Sequence, residues 1–256
     1  MDNGEIKIER DHDIFGVLRE KRYYKNNKLH NDNGPAIIKY NNNGKIVEEH
    51  YYKDGNHHNN ENPASIIYYN NGNKMKEYWR KNNKLHRENG PAIIEYDADK
   101  AIIKEHYYID DNLIKKFVYY PNGGLEQELY YKNGKYHKDS APAIINYYKD
   151  GTISREQWKK NGTAYRKNGP VEVEYYENGV ICMEYYVNNV SNWIIVSYDR
   201  NGNKKFIHHY KNSVLHNSKG PAVIEYDKNS NTVKQEFYLN GNQVNELVVL
   251  VNENFN

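Results

Sequence analysis

Short runs of alternating apolar and polar residues, closed by pairs of Asn, Asp or Gly, repeat along nearly the whole chain. KIVEEHYY at 45–52, AIIKEHYY at 101–108 and VICMEYY at 180–186 are rich in β-branched and aromatic residues and too short for helices. They predict strands. Between them lie turn dipeptides such as Asp54-Gly55, Asn133-Gly134, Asn161-Gly162 and Asn240-Gly241, whose residues tolerate the positive φ of tight hairpins. No helix of more than one turn is expected.

The alternation has a long period. A closing tyrosine recurs as Tyr40, Tyr68, Tyr96, Tyr119, Tyr147, Tyr175, Tyr198 and Tyr226, at spacings of 28, 28, 23, 28, 28, 23 and 28. Eleven residues after each stands Tyr51, Trp79, Tyr107, Tyr130, Trp158, Tyr186, His209 or Phe237. Nine residues after stands Glu49, Glu77, Glu105, Glu128, Glu156 or Glu184, then Ile207 and Gln235. The long units carry a His, a polar loop and a Gly-Pro-Ala-like segment that the short ones, NLIKKFVY at 112–119 and SNWIIVSY at 191–198, lack, so the loop is an insertion. Tyr40, Tyr119 and Tyr198 are 79 residues apart, a three-unit super-repeat.

Two strands per unit make an antiparallel hairpin rather than a propeller blade. The fold class expected is all-β: one elongated single-sheet antiparallel meander of about eight hairpins, on the order of 75 Å long at about 4.8 Å per strand. A cap is expected at 1–19, with strands at IKIE and FGVL, then the repeat domain at 20–245 and an apolar edge strand at 246–256.

Taking 41–44 as the hairpin loop pairs Ile38 with Val47, Ala36 with Glu49 and Gly34 with Tyr51. Ala36, Ile38, Tyr40, Val47, Glu49 and Tyr51 then share one face. That register places Gly34, Gly90, Gly169 and Gly220 beneath aromatic rings. The repeated columns become the candidate interaction face: Tyr51, Trp79, Tyr107, Tyr130, Trp158, Tyr186 and Phe237 with Glu49, Glu77 and Glu105. The carboxylates form either a structural ladder or a ligand-binding row.

Composition narrows the chemistry. Only 38% of the 256 residues are apolar or aromatic, and 27 are Tyr, which points to a thin, much-exposed sheet. Lys plus Arg (36) nearly balances Asp plus Glu (34), so nothing demands a polyanion, and nucleic acid is disfavoured. The single Cys182 excludes an internal disulfide and four-cysteine zinc sites. The N-terminal segment lacks an apolar signal core, so a cytoplasmic location is expected.

His30, His58, His86, His137 and His216 recur at one loop position, with Tyr165 in the remaining long unit. Copies about two strands apart lie roughly 10 Å from one another, too far to share a metal. A loop-stabilising role is expected, with no catalytic residue, no metal and no cofactor. At the C-terminus Leu247, Val249 and Val251 mark the apolar edge, which invites pairing with a second copy or partner.

The hairpin period, the Glu-x-aromatic strand and the segments NGKYH at 133–137 and NNKLH at 26–30 and 82–86 resemble the MORN repeat. They are closer to its variant with a Leu-His-x-x-x-Gly-Pro-Ala loop, common in bacterial and large-virus proteins. Pairs such as Glu49-His50 replace that family's usual extra glycines. The resemblance implies a scaffold or adaptor that often self-associates and is sometimes suspected of contacting membrane phosphoinositides; it implies no catalytic residues. YYKNG at 130–134 and YYKDG at 51–55 also resemble choline- and cell-wall-binding hairpin repeats, whose rings cage a cation. A small-ligand, glycan or headgroup-binding module is therefore the alternative expectation.

Overall fold

The computed structural model describes residues 5–59, 61–189 and 191–253, with backbone alone at 188–189 and 250–253. Its contacts divide the chain into two compact units, Met1–Gly134 and Lys135–Asn256. Among the described residues, all regular structure is β apart from one helix, Glu246–Glu253.

In the first unit the strands Lys7–His12 and Leu18–Lys25 form a hairpin that leads into an antiparallel meander. It runs through Ile37–Tyr40, Ile46–His50, Ser65–Tyr68, Lys74–Tyr78, Ile93–Tyr96, Ile102–Ile109, Asn112–Tyr119 and Leu125–Lys132. The second unit repeats the plan through Ile144–Tyr147, Ile153–Gln157, Glu172–Tyr175, Ile181–Asn189, Asn192–Tyr198, Lys204–Lys211, Val223–Tyr226 and Thr232–Leu239. These are the expected eight hairpins. Short ribbons such as Tyr52–Lys53 with Asn56–His57, and Arg80–Lys81 with Lys84–Leu85, project from the strand ends in the loop-bearing units.

The register differs from the sequence-based one. Ile38 pairs with Glu49 and Lys39 with Glu48, but Tyr40 pairs with Ile46, so a bulge lies beside the closing tyrosine. The same irregularity accompanies Tyr68, Tyr96, Tyr119, Tyr147, Tyr175, Tyr198 and Tyr226. Its cause is the turn. Asn41 Oδ1 accepts the amides of Asn43 and Lys45 at 3.0 Å, while Gly44 takes φ 72°, which closes a three-residue loop and leaves one residue over. The shift is two residues, so Ile38 and Glu49 keep a common face.

The glycines change neighbours. Ala36, not Gly34, lies opposite an aromatic: the amides of Tyr23, Tyr51, Trp79 and His209 donate to the carbonyls of Ala36, Ala64, Ala92 and Ala222 at 2.7–2.8 Å. All four alanines are fully buried. A Cβ at Gly34, Gly90, Gly169 or Gly220 would instead meet Asn31, Arg87, Arg166 or Asn217 of its own loop.

Both ends depart from expectation. Of FGVL only Leu18 is in a strand; Phe15 sits at the hairpin tip, 84% exposed. Residues 246–251 are helical because the Asn245 side chain accepts the Val248 amide at 3.2 Å and starts a turn with Glu246 inside it. Val249 is buried while Leu247 is 70% exposed; the side chain of Val251 lies outside the described residues. No strand edge exists there to pair with a second copy.

Candidate functional site

The columns on the shared face are bound to one another. Closing tyrosines donate the hydroxyl to the Glu of the hairpin before: Tyr68 to Glu49 at 2.6 Å, Tyr96 to Glu77 at 3.1 Å and Tyr119 to Glu105 at 2.7 Å. In the second unit Tyr175 donates to Glu156 at 2.8 Å and Tyr198 to Glu184 at 2.6 Å. The aromatic column adds a second donor, since Tyr107, Tyr130 and Tyr186 reach Glu105, Glu128 and Glu184. Burial, with the adjacent carboxylate, pushes Tyr96 and Tyr107 up to about 12 and raises Tyr68, Tyr119 and Tyr198 further. Phe237 closes the series without a hydroxyl, beside Gln235 in the Glu column.

The loop histidines pin each loop to the next ribbon turn. His30 Nδ1 lies 2.9 Å from Asp54 Oδ1 and 3.1 Å from the Asp54 amide, His86 Nδ1 2.9 Å from Asp110 Oδ1 and 3.3 Å from its amide, and His137 Nδ1 2.9 Å from Asn161 Oδ1 and 3.1 Å from its amide; His216 meets the Asn240 amide at 3.0 Å and His58 the Asn82 amide at 3.5 Å. Each donor residue has a left-handed φ of 48–52°, which aims its N–H at the ring. The following loop residue reaches the proline carbonyl: Asn31 to Pro35, Arg87 to Pro91, Arg166 to Pro170, Asn217 to Pro221. Where that residue is Arg it also covers the Trp, Arg87 at 3.5 Å from the Trp79 ring centre and Arg166 at 3.8 Å from that of Trp158.

A denser polar cluster comes from two breaks in the pattern. His57 occupies the place of Leu29 and Leu85, and Ser65 that of Ile37 and Ile93. Ser65 Oγ lies 3.0 Å from His50 Nδ1 and 2.6 Å from His57 Nε2, and His50 Nε2 is 2.9 Å from Glu48, itself bridged to Lys39. His57 Nε2 also faces the Ala64 carbonyl at 3.0 Å and so carries its proton. The hydrogen bonds then run His57 to Ser65 to His50 to Glu48. Burial holds His57 down at about 4. Ser65 is 3% exposed, which makes the group a satisfied internal chain. The sequence singled out His58 as a loop residue but not this chain, whose members meet only once His50 and Ser65 pair across neighbouring hairpins.

The loopless hairpins differ from each other. Lys115 lies 4.1 Å from the Tyr107 ring centre and 5.0 Å from that of Phe117. In the second unit Ile194 and Val196 hold the corresponding places, and with Ile207 they line a shallow hollow of about 300 Å³. Among the described residues no group of three or more His, Cys, Asp or Glu could hold a metal ion, and no helix is long and apolar enough to cross a membrane.

No protein-family model matches the chain, and no curated protein matches it. Among solved structures it is similar to a chain in "Crystal Structure of TcdB2-TccC3-TEV", at 11% identity and TM-score 0.21, covering 92% of this chain and 14% of that one. A second, "Crystal Structure of TcdB2-TccC3-Cdc42", has 10% identity and TM-score 0.16, covering 92% and 17%. The chain thus spans less than a fifth of either, and likeness at this level carries no argument about fold or function.

Proposed function

We propose that the protein is a non-enzymatic, MORN-like scaffold that holds protein partners and acts in the cytoplasm. One observation supports this reading above the rest: the repeated polar groups are consumed by the sheet itself. Glu49, Glu77 and Glu105 accept tyrosyl hydroxyls of the next hairpin, and the loop histidines are bound to the turn residues of the next ribbon. Chemistry that recurs from unit to unit therefore maintains the sheet. What varies between units, chiefly loop and ribbon side chains, is free to select a partner. Self-association stays within this proposal, but not through strand pairing at 246–251.

The small-ligand alternative has less support, because rings that would cage a cation already hold one from the chain: Arg87 on Trp79, Arg166 on Trp158 and Lys115 on Tyr107. Cross-linking followed by mass spectrometry in the native cell tests the choice. The scaffold reading expects cross-links from loop and ribbon lysines to a reproducible protein partner. It fails if no partner is captured while the purified chain binds choline, an oligosaccharide or a phosphoinositide headgroup.

A further inference from the structure

WRKNNKLHREN at 79–89 and WKKNGTAYRKN at 158–168 are the same segment, one super-repeat apart. In each, a Trp is followed by two basic residues and, eight positions on, by an Arg stacked over that Trp. Other loop-bearing units have Tyr or His in the Trp place and Asn or Lys in the Arg place. The pairing of Trp with Arg thus occurs once per triplet, together with the basic dipeptide.

In the first unit this segment forms one wall of a groove of about 360 Å³, lined by Trp79, Arg80, Lys81, Arg87 and the loop histidines His58 and His86. Neither guanidinium has a carboxylate within ion-pair distance among the described residues; the one acid lining the groove, Glu88, stands 3.7 Å from Lys81 and 3.4 Å from His86. Arg87 is held by the Trp79 ring and the Pro91 carbonyl, and Arg80 by the Asn83 carbonyl at 2.9 Å. Arg80 Nε is buried without an acceptor. Two fixed guanidinium forks with no carboxylate on either, beside a Lys that shares the single acid Glu88 with His86, leave the groove with an excess of positive charge and are a prepared carboxylate site.

The neighbouring groove, about 490 Å³, is offset by one 28-residue unit and carries more acid: Asp32 and Glu61 line it with Lys53, Asp32 lying 2.9 Å from His30 and 3.4 Å from Lys25. A lipid surface or a nucleic acid presents one sign of charge across both grooves and meets repulsion at the second. A polypeptide can alternate. Equivalent points two strands apart are separated by about 10 Å, which an extended chain covers in about three residues.

We propose that these two grooves bind an extended peptide segment of a partner protein, an acidic side chain entering between Arg80, Lys81 and Arg87, and a basic one, three residues away, meeting Asp32 and Glu61. The proposal rests on the scaffold reading and names the partner's chemistry. The segment at 158–168 is a second acid-binding site of the same kind, with Lys159, Lys160 and Arg166 in the corresponding places and Lys167 in that of Glu88.

The test is a nuclear magnetic resonance titration of the full chain with Ser-Glu-Pro-Pro-Lys-Ser, read at the indole N–H signals of Trp79 and Trp158. Saturable movement of the Trp79 signal is expected, with affinity weakened about tenfold in Arg80→Glu/Lys81→Glu. A Lys-Pro-Pro-Lys peptide should bind that variant and not the wild type. Asp32→Lys/Glu61→Lys should turn the preference toward Glu-Pro-Pro-Glu. Lys81→Glu alone, at an exposed ribbon position, gives a milder loss if the double variant melts early. Unmoved indole signals, equal binding by all variants, or tighter binding to phosphatidylserine vesicles than to the peptide would overturn the proposal. Native partners cross-linked equally to wild type and Arg80→Glu/Lys81→Glu would leave the scaffold reading standing and remove this site; a wild type that cross-links to nothing removes the reading itself.

Discussion

Tyr119 donates its hydroxyl to Glu105 Oε2 at 2.7 Å, and Tyr107, on the same strand as Glu105, donates to the same oxygen at 3.1 Å. One carboxylate thereby ties two neighbouring strands through side chains as well as backbone. Hydrogen bonds to a charged group contribute about 1.5–3 kcal/mol each, and the partner left unpaired adds its desolvation cost. Glu105→Ala should lower unfolding stability by about 2–4 kcal/mol in urea. Tyr119→Phe, which removes one donor, should cost less than half as much. Equal stability of all three proteins would deny the ladder its structural role.

The same ladder has an alkaline signature. Burial first, then the neighbouring carboxylate, raises Tyr107 to about 12. Because the folded chain favours the neutral phenol, this stability is complete below the ordinary pKa of about 10 and disappears as pH rises through the folded value. Ultraviolet titration should show a phenolate fraction ionising only with unfolding, and Glu105→Gln should move part of it to lower pH.

His57 gives the acid counterpart. Its neutral form is favoured in the fold, since burial lowers it to about 4, whereas the unfolded imidazole titrates at 6.5. The unfolded state binds the proton first, so stability falls as pH drops from about 6.5 towards 4. His57→Leu, which restores the residue found at positions 29 and 85, should flatten that part of the curve. Urea midpoints at pH 7 and pH 4.5 read the difference, and an unchanged slope would place the titrating group elsewhere.

Lys100 and Ser230 occupy the left-handed turn position that glycine fills in the other hairpins, at φ 74° and 63°. A side chain there costs about 1–2 kcal/mol, partly offset by the greater freedom of glycine in the unfolded chain. Lys100→Gly and Ser230→Gly should each raise stability by about 0.5–1 kcal/mol. The converse change, Gly44→Ala, should lower it, and thermal melts of the three variants give the comparison.

The histidine pins predict a local effect. His137→Phe keeps a ring in the loop but removes the nitrogen that meets both the Asn161 amide at 3.1 Å and the Asn161 side chain at 2.9 Å. Hydrogen exchange at Asn161 should quicken by about tenfold or more, while amides of Ile153–Gln157 stay protected.

The period, the strand positions and the loop insertions were legible because aromatic rings and Asn-Gly turns recur at fixed offsets. Register was not, because it depends on a left-handed Gly44 and two bonds to one Asn41 oxygen, details of a turn that letters alone leave open. Every contact that needs register was therefore missed, including Ala64 opposite Tyr51 and Ser65 between two imidazoles. The stack of Arg87 on Trp79 went unread for another reason: the two are neighbours only after the chain reverses at Asn82 and Asn83. At the C-terminus the β-branched run of 246–251 suggested a strand, but Asn245 as a helix cap overrode that preference.

Fixed offsets have a consequence for how such a chain can change in length. The joins reuse the same offsets: a tyrosine meets a glutamate 14 or 19 residues before it, and a loop histidine an amide 24 residues after it. A gene segment encoding whole triplets could be gained or lost without leaving either side of the junction chemically mismatched. Evolution can thus lengthen the ribbon in steps, and tune partner choice one groove at a time.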